Sequence, residues 1–246
     1  MIVSGKAYDF DKRRAKQASA DGYIIKRVKP ATFAAGVRDI VNACFSVNYW
    51  GVLGTLPVPG HNSLRYGGNT SCVTMTFPNE RTLIFDAGTG IKTLSDSIMK
   101  DHGGKLSAHI FISHPHWDHI NEFPFFAPFC VPGNKFKVVG AKHGERTTED
   151  LISAQMDDVF FPILVTDMGA SISFQDISEE TITIDDNIVI ETMLLSHIEN
   201  CVGFRVTLDG KSVCSVTDNE LYTQNQDFRT NRTRRNSSIS SKALKF

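Results

Sequence analysis

Four side chains able to bind a metal ion lie within residues 114–119, namely His114, His116, Asp118 and His119. Neutral imidazoles and carboxylates are the ligands that zinc and similar metals take. The apolar residues 110–112 before them predict a strand, and alternate residues of an extended chain share one side, so His114 and His116 can converge on one ion. Asp118 and His119 follow the next bend, within reach of a second ion. A surface loop rich in histidine is the alternative, but three of the chain's eight histidines lie here, which favours a metal loop.

Three further polar residues follow predicted apolar strands in the same way. Asp86 follows residues 83–85, His197 follows 193–195, and Asp218 follows 213–216. Strand ends that meet at one edge of a sheet are where sites are built. Each residue alone has an ordinary interpretation, a loop histidine or an aspartate in a turn. With the histidine-rich loop they predict a basin for two metal ions.

The elements that must position these residues are predicted from apolar alternation and from turn residues. Helices are predicted over residues 91–100 and 147–156, the second opening with a capping box at 147–150. Asp209-Gly210 predicts a tight hairpin. Two blocks of strands and helices indicate stacked sheets with helices outside them. The predicted strands are 47–50, 71–76, 82–85, 109–112, 135–140, 171–174, 181–184, 188–192, 202–208 and 211–216.

The chain is predicted to have three parts. Residues 1–45 form an N-terminal extension with a short basic cluster and a helix beginning near Thr32. Residues 46–219 form the main domain. Residues 220–246 are polar, basic and poor in apolar periodicity, which predicts a disordered tail.

Composition excludes several classes of function. The 246 residues are 41% hydrophobic and 22% charged, as in an ordinary globular protein. The formal net charge of −1 provides no overall electrostatic attraction to nucleic acid or to a membrane. The first residues lack the apolar core of a secretory signal, so we expect none, and no apolar stretch reaches membrane-spanning length. The five cysteines are scattered and odd in number, typical of reduced thiols. We therefore expect a cytoplasmic protein, without a membrane partner and with nucleic acid disfavoured as a partner.

The spacing His114-x-His116-x-Asp118-His119, with Asp86 before it and His197 and Asp218 after it, resembles the metallo-β-lactamase superfamily. It is most similar to the branch that contains phosphodiesterase-like enzymes. Residues 50–57, 66–71 and 125–128 are also similar to that branch, and the resemblance covers residues 46–219. It implies an α/β (α+β) fold, a four-layer αββα sandwich with metals at one edge of the paired sheets.

The resemblance also implies a role for each site residue. It implies two divalent ions, with zinc favoured and manganese or iron as alternatives. The resemblance further implies a catalytic role for Asp118. The first metal would be held by His114, His116 and His197, the second by Asp118 and His119, with Asp218 bridging the two and Asp86 orienting a ligand imidazole.

The resemblance implies a hydrolase in which a metal-bound hydroxide attacks phosphorus or a carbonyl carbon. Oxygen-reducing relatives carry a carboxylate where this chain has His116, and many β-lactamases lack a bridging aspartate such as Asp218. Both residues favour a phosphodiester substrate, small or nucleotide-like, over a thioester or lactone.

The C-terminal part departs from the family pattern. Relatives usually continue beyond the bridging aspartate to a last histidine of the second site, whereas this sequence has no histidine after His197. We therefore expect a sandwich that is incomplete on its C-terminal side, a weakened second site, and an exposed edge that favours homo-oligomers. The alternative is a degenerate or truncated protein that binds metal with little or no catalysis.

Overall fold

A computed structural model describes residues 2–4, 23–25, 45–78, 80–159, 161–185, 187–197 and 200–219. They fall into two compact units that divide at residue 46, with the segment 77–79 belonging to the first. The predicted helix near Thr32 and the tail 220–246 lie outside the described residues. The three-part division of the chain stays a prediction.

The first unit contains two short strands that pair in parallel, β1 (Ile2–Ser4) and β2 (Tyr23–Ile25). The sequence patterns do not predict either strand. In the same unit the rings of Phe45 and Phe77 lie 5.3 Å apart, centroid to centroid.

A six-stranded sheet holds the first half of the site. Its strands lie side by side in chain order. The pair β4–β5 is antiparallel and β5 to β8 are parallel, so the start of β4 and the carboxyl ends of β5 and β6 share one edge. The strands are β3 (Ser46–Gly51), β4 (Cys72–Thr76), β5 (Thr82–Phe85), β6 (Ser107–Phe111), β7 (Lys135–Ala141) and β8 (Ser171–Ile177).

A four-stranded antiparallel sheet holds the other half. Its order is β12-β11-β10-β9. As predicted, β11 and β12 form a tight hairpin, in which Asp209 and Gly210 both have positive φ, 50° and 76°. The strands are β9 (Thr181–Ile184), β10 (Ile188–Leu194), β11 (Val202–Leu208) and β12 (Lys211–Ser215).

The two sheets pack face to face through aromatic side chains. The ring of Phe204 on β11 lies 5.6 Å from that of Phe85 and 5.3 Å from that of Phe111, centroid to centroid. At the edge that carries the site, the Val202 N–H donates to the Ser113 carbonyl at 2.8 Å. Buried aromatic contacts and this hydrogen bond fix the sheets against each other where the site residues emerge.

The helices cover the opposite face of the six-stranded sheet. They are α1 (Gly90–His102), α2 (Trp117–Ile120) and α3 (Thr148–Ser153). Ile91, Leu94 and Ile98 of α1 share one buried cluster with residues of β5, β6 and β7. The predicted capping box opens α3, which ends at Ser153 and continues as a 3-10 turn to Met156.

The mixed α/β fold with two sheets is confirmed. In the part of the chain that the structure describes, no helix packs on the outer face of the four-stranded sheet, where a four-layer sandwich would have its last layer. None of the described helices has the length and apolarity that a membrane span requires.

Candidate metal centre

The strand ends converge as the sequence predicts. Asp86 follows β5 and His114 follows β6, two parallel neighbours of one sheet. In the other sheet His197 follows β10 and Asp218 follows β12, which run in the same direction. Because the sheets are paired, all four residues lie along one rim.

A first group of candidate ligands comprises His114, His116, His197 and Asp218, with ligand atoms within 4.8 Å of one another. His116 Nδ1 lies 2.8 Å from His114 Nε2 and 3.4 Å from His197 Nε2. The Nε2 atoms of His114 and His197 lie 3.7 and 3.6 Å from Asp218 Oδ2. Three imidazoles and one carboxylate suit a tetrahedral zinc site.

A second group comprises Asp118, His119 and Asp218. His119 Nε2 lies 3.4 Å from Asp118 Oδ2 and 3.7 Å from Asp218 Oδ1. The two oxygens of Asp218 therefore face different groups, as a bridging carboxylate requires. His119 Nε2 is buried and has no hydrogen-bond partner among the residues that the structure describes, and a metal ion would satisfy this atom. The donor sets thus fit divalent metal ions.

The Asp86 carboxylate holds the His119 imidazole in position. Its buried carboxylate accepts hydrogen bonds from the Ser113 N–H and the Ser71 hydroxyl, both at 2.8 Å, and from His119 Nδ1 at 2.7 Å. Burial disfavours the charged carboxylate, but the charge of His119 and these donors lower the pKa of Asp86 below its ordinary value. A proton held at Nδ1 leaves Nε2 of His119 available to a metal.

The two buried imidazoles of His114 and His119 have opposite pKa shifts. Burial, followed by the charge of His119, lowers the pKa of His114 to about 3. Burial also opposes protonation of His119, but the charge and hydrogen bond of Asp86, together with the charges of Asp118 and Asp218, outweigh burial and raise the pKa of His119 to about 9. Without metal, His114 is neutral at pH 7 and His119 is protonated.

Stability of the metal-free protein should therefore fall as the pH rises. The pKa of His119 is raised above its unfolded value of about 6.5, so its contribution is complete below that pH and is lost as the pH rises through 9. We expect the free energy of unfolding, measured by urea titration in a chelator, to fall by about 1–3 kcal/mol between pH 6.5 and 9. Asp86→Asn should flatten this dependence, whereas Asp158→Asn, at an exposed position, should preserve it. An unchanged slope in Asp86→Asn would contradict the assignment.

Two buried residues without a predicted role contact His114. Its Nδ1 lies 3.1 Å from the Ser113 hydroxyl and 3.6 Å from the Cys201 sulfur. Burial, followed by the charge of Asp86, raises the pKa of Cys201 to about 12, so this side chain is a neutral thiol. Ser113 begins the motif and is visible in the sequence, but no spacing pattern points to Cys201.

Thr55 is a further contact that the sequence patterns miss. Its backbone N–H donates to Asp118 Oδ2 at 2.7 Å. Its φ is +71°, unusual for a β-branched residue, and the Leu56 N–H returns to the Gly54 carbonyl at 2.9 Å in a tight turn. Gly54 and Pro57 in the sequence predict a turn here. They do not predict that an amide of this turn donates to a ligand carboxylate.

A scan against protein-family models and a search of curated proteins each find no match. Several solved structures are similar at low identity. The metallo-β-lactamase-fold protein YhfI from Bacillus subtilis is 17% identical with a TM-score of 0.48, and the match covers 69% of this chain and 60% of that protein, less than two thirds of its length.

Two other structures show comparable similarity. Human tRNase Z, short form, is 21% identical with a TM-score of 0.49, over 70% of this chain and 68% of that one. The metallo-β-lactamase GOB-18 from Elizabethkingia meningoseptica is 11% identical with a TM-score of 0.43, over 78% and 77%.

The chain's own features, and not these similarities, indicate its fold. A six-stranded and a four-stranded sheet pack face to face, helices cover the larger sheet, and the motif His114-x-His116-x-Asp118-His119 follows β6 at their common rim. His197 and Asp218 reach the same rim from the second sheet. The described part of the chain thus has a mixed α/β fold of two paired sheets, and its architecture is similar to that of metallo-β-lactamase-fold structures.

Proposed function

We propose that the chain is a metal-dependent hydrolase and that its substrate is a phosphodiester. The observation that carries the proposal is the position of Asp218 between two groups of ligands, with one oxygen towards each. Two cations a few ångströms apart stabilise both the attacking and the leaving oxygen of an in-line displacement at phosphorus. Zinc is the metal we propose, because imidazoles dominate the first group.

The protein's own residues would prepare the site. His114, His116 and His197 supply three imidazole nitrogens, and Asp218 joins them to the second group. Asp86 holds the proton of His119 at Nδ1, and the Thr55 amide holds one oxygen of Asp118. Bound cations would lower the pKa of a water molecule and offset the charge that develops on the phosphoryl oxygens.

The experiment that tests the proposed function compares His116→Ala with the unsubstituted protein. His116 Nδ1 lies between the other two imidazoles of the first group, so its loss opens that site. We expect hydrolysis of bis(p-nitrophenyl) phosphate by zinc-loaded protein to fall by about 100-fold or more. His102→Ala, at the exposed end of α1, removes a histidine that belongs to neither group of ligands and should retain the rate. Equal rates in both variants, or no turnover in any protein, would count against the proposal.

A metal-binding protein without catalysis is the second candidate. It is favoured by the second group, which has three ligands where the first has four among the described residues. Metal content by mass spectrometry, measured beside the rate, separates the two functions. Two tightly held ions with turnover support the hydrolase, whereas one ion without turnover supports the second candidate.

A further inference from the structure

The two sheets differ in width on one side of the site. In the centre, β5 and β6 pack against β11. Beyond them the larger sheet continues through β4 to β3, whereas no strand among the described residues extends the smaller sheet past β12. The inner face of β3 and β4 therefore borders a cleft beside β12.

Apolar side chains form the larger part of the walls of this cleft, whose volume is about 370 Å³ and whose lining also includes the hydroxyl groups of Ser71, Ser215 and Thr217. Val47 and Tyr49 of β3 and Val73 and Met75 of β4 line one wall, since alternate residues of a strand share one face. Val213 of β12 lines the opposite wall. Except for Tyr49 and Met75 these side chains are half-buried, so a ligand can remove further apolar area from water.

The cleft ends at the metal centre, because His119 and Asp218 are also among its lining residues. Apart from these two, no described lining residue carries a charge at neutral pH. A second phosphate group would find no cationic partner there, which argues against a polynucleotide that continues along the cleft. The volume is more than twice the roughly 150 Å³ of a cavity that holds benzene.

We propose that this cleft binds an apolar ester group, an alkyl chain or an aryl ring, of the phosphodiester whose phosphate lies at the metal centre. The inference rests on the proposed function for the position of the phosphate. It adds the substrate class, a phosphodiester with one apolar substituent.

Phosphonates of different chain length test the cleft without turnover. Octylphosphonate and methylphosphonate are titrated into the zinc-loaded full chain by calorimetry. Each methylene group that leaves water improves affinity by about three- to fourfold. We expect octylphosphonate to bind at least about 30-fold more tightly than methylphosphonate, as burial of a few methylene groups requires.

A matched pair of variants tests whether the alkyl chain lies in the cleft. Val213 lies opposite the buried Val206 and faces inward, whereas its neighbour Ser212 is exposed on the other face of β12. Val213→Trp should reduce the advantage of octylphosphonate by about tenfold and leave methylphosphonate binding unchanged. Ser212→Trp should preserve both affinities. If Val213→Trp lowers the melting temperature, Val47→Trp fills the cleft from the opposite wall.

Equal affinities for the two phosphonates would overturn the proposal, as would no binding of octylphosphonate at millimolar concentration or an advantage that both cleft-filling variants retain. An advantage lost equally in Ser212→Trp would also overturn it, because the chain would then lie outside the cleft. If chain-length-dependent binding persists but no diester is hydrolysed, the hydrolase proposal fails and the cleft stands.

Discussion

Replacing Asp218 with asparagine should reduce phosphodiester hydrolysis by about 1000-fold, equivalent to about 4 kcal/mol of transition-state stabilisation. One oxygen of Asp218 faces His114 and His197, and the other faces His119. Asparagine keeps the size of the side chain but loses the negative charge and one of the two oxygens. Both groups of ligands are therefore weakened at once, and fewer ions should remain bound per chain by mass spectrometry.

Asp209→Asn is the matched control for this variant. Asp209 is exposed in the turn between β11 and β12, and its positive φ is one that asparagine also adopts readily. We expect this control to retain its metal and its rate. If Asp218→Asn keeps two ions and full activity, Asp218 does not bridge the two groups.

Much of the fold was predictable because the signal is local. Alternating apolar residues and turn dipeptides depend on neighbours in the chain, and they predict the strands of both sheets, the hairpin at Asp209-Gly210 and the capping box at Thr147. The helix that begins at Thr148 was overestimated at its C-terminal end, since its last three predicted residues form a 3-10 turn. Ends of elements depend on packing as well as on pattern.

The candidate ligands were predictable for a related reason, since each follows an apolar strand and strand ends meet at a rim. The backbone and side-chain partners that hold these ligands in place were not predictable. The amide of Thr55 reaches Asp118 across 63 positions, and the sulfur of Cys201 reaches His114 across 87. Such contacts depend on how two sheets pack, and a backbone N–H or a single thiol has no spacing signature. The metal roles of the site residues stay a prediction until metal content is measured.

Gly88→Ala should destabilise the metal-free protein by about 3 kcal/mol and abolish metal binding at the second group. A Cβ at this position would lie 2.1 Å from the Asp118 carbonyl oxygen, 2.4 Å from the Thr70 hydroxyl and 2.9 Å from the Ser71 carbonyl oxygen. Two of these atoms are backbone in neighbouring segments, so a rotamer change cannot relieve the clash. The chain that carries Asp118 and His119 would have to move away from Asp86.

Gly54→Ala tests whether this effect is specific to the close approach. A Cβ at Gly54 meets no atom within 4 Å, and this residue lies in the same turn as Thr55, so the control also lies beside the site. Urea denaturation in a chelator should show a change within about 0.5 kcal/mol for Gly54→Ala. Zinc titration should then show loss of the second ion in Gly88→Ala alone. If the two variants unfold at the same urea concentration, the segment that carries Asp118 tolerates displacement. The second group would then not depend on the contact between Gly88 and Asp118.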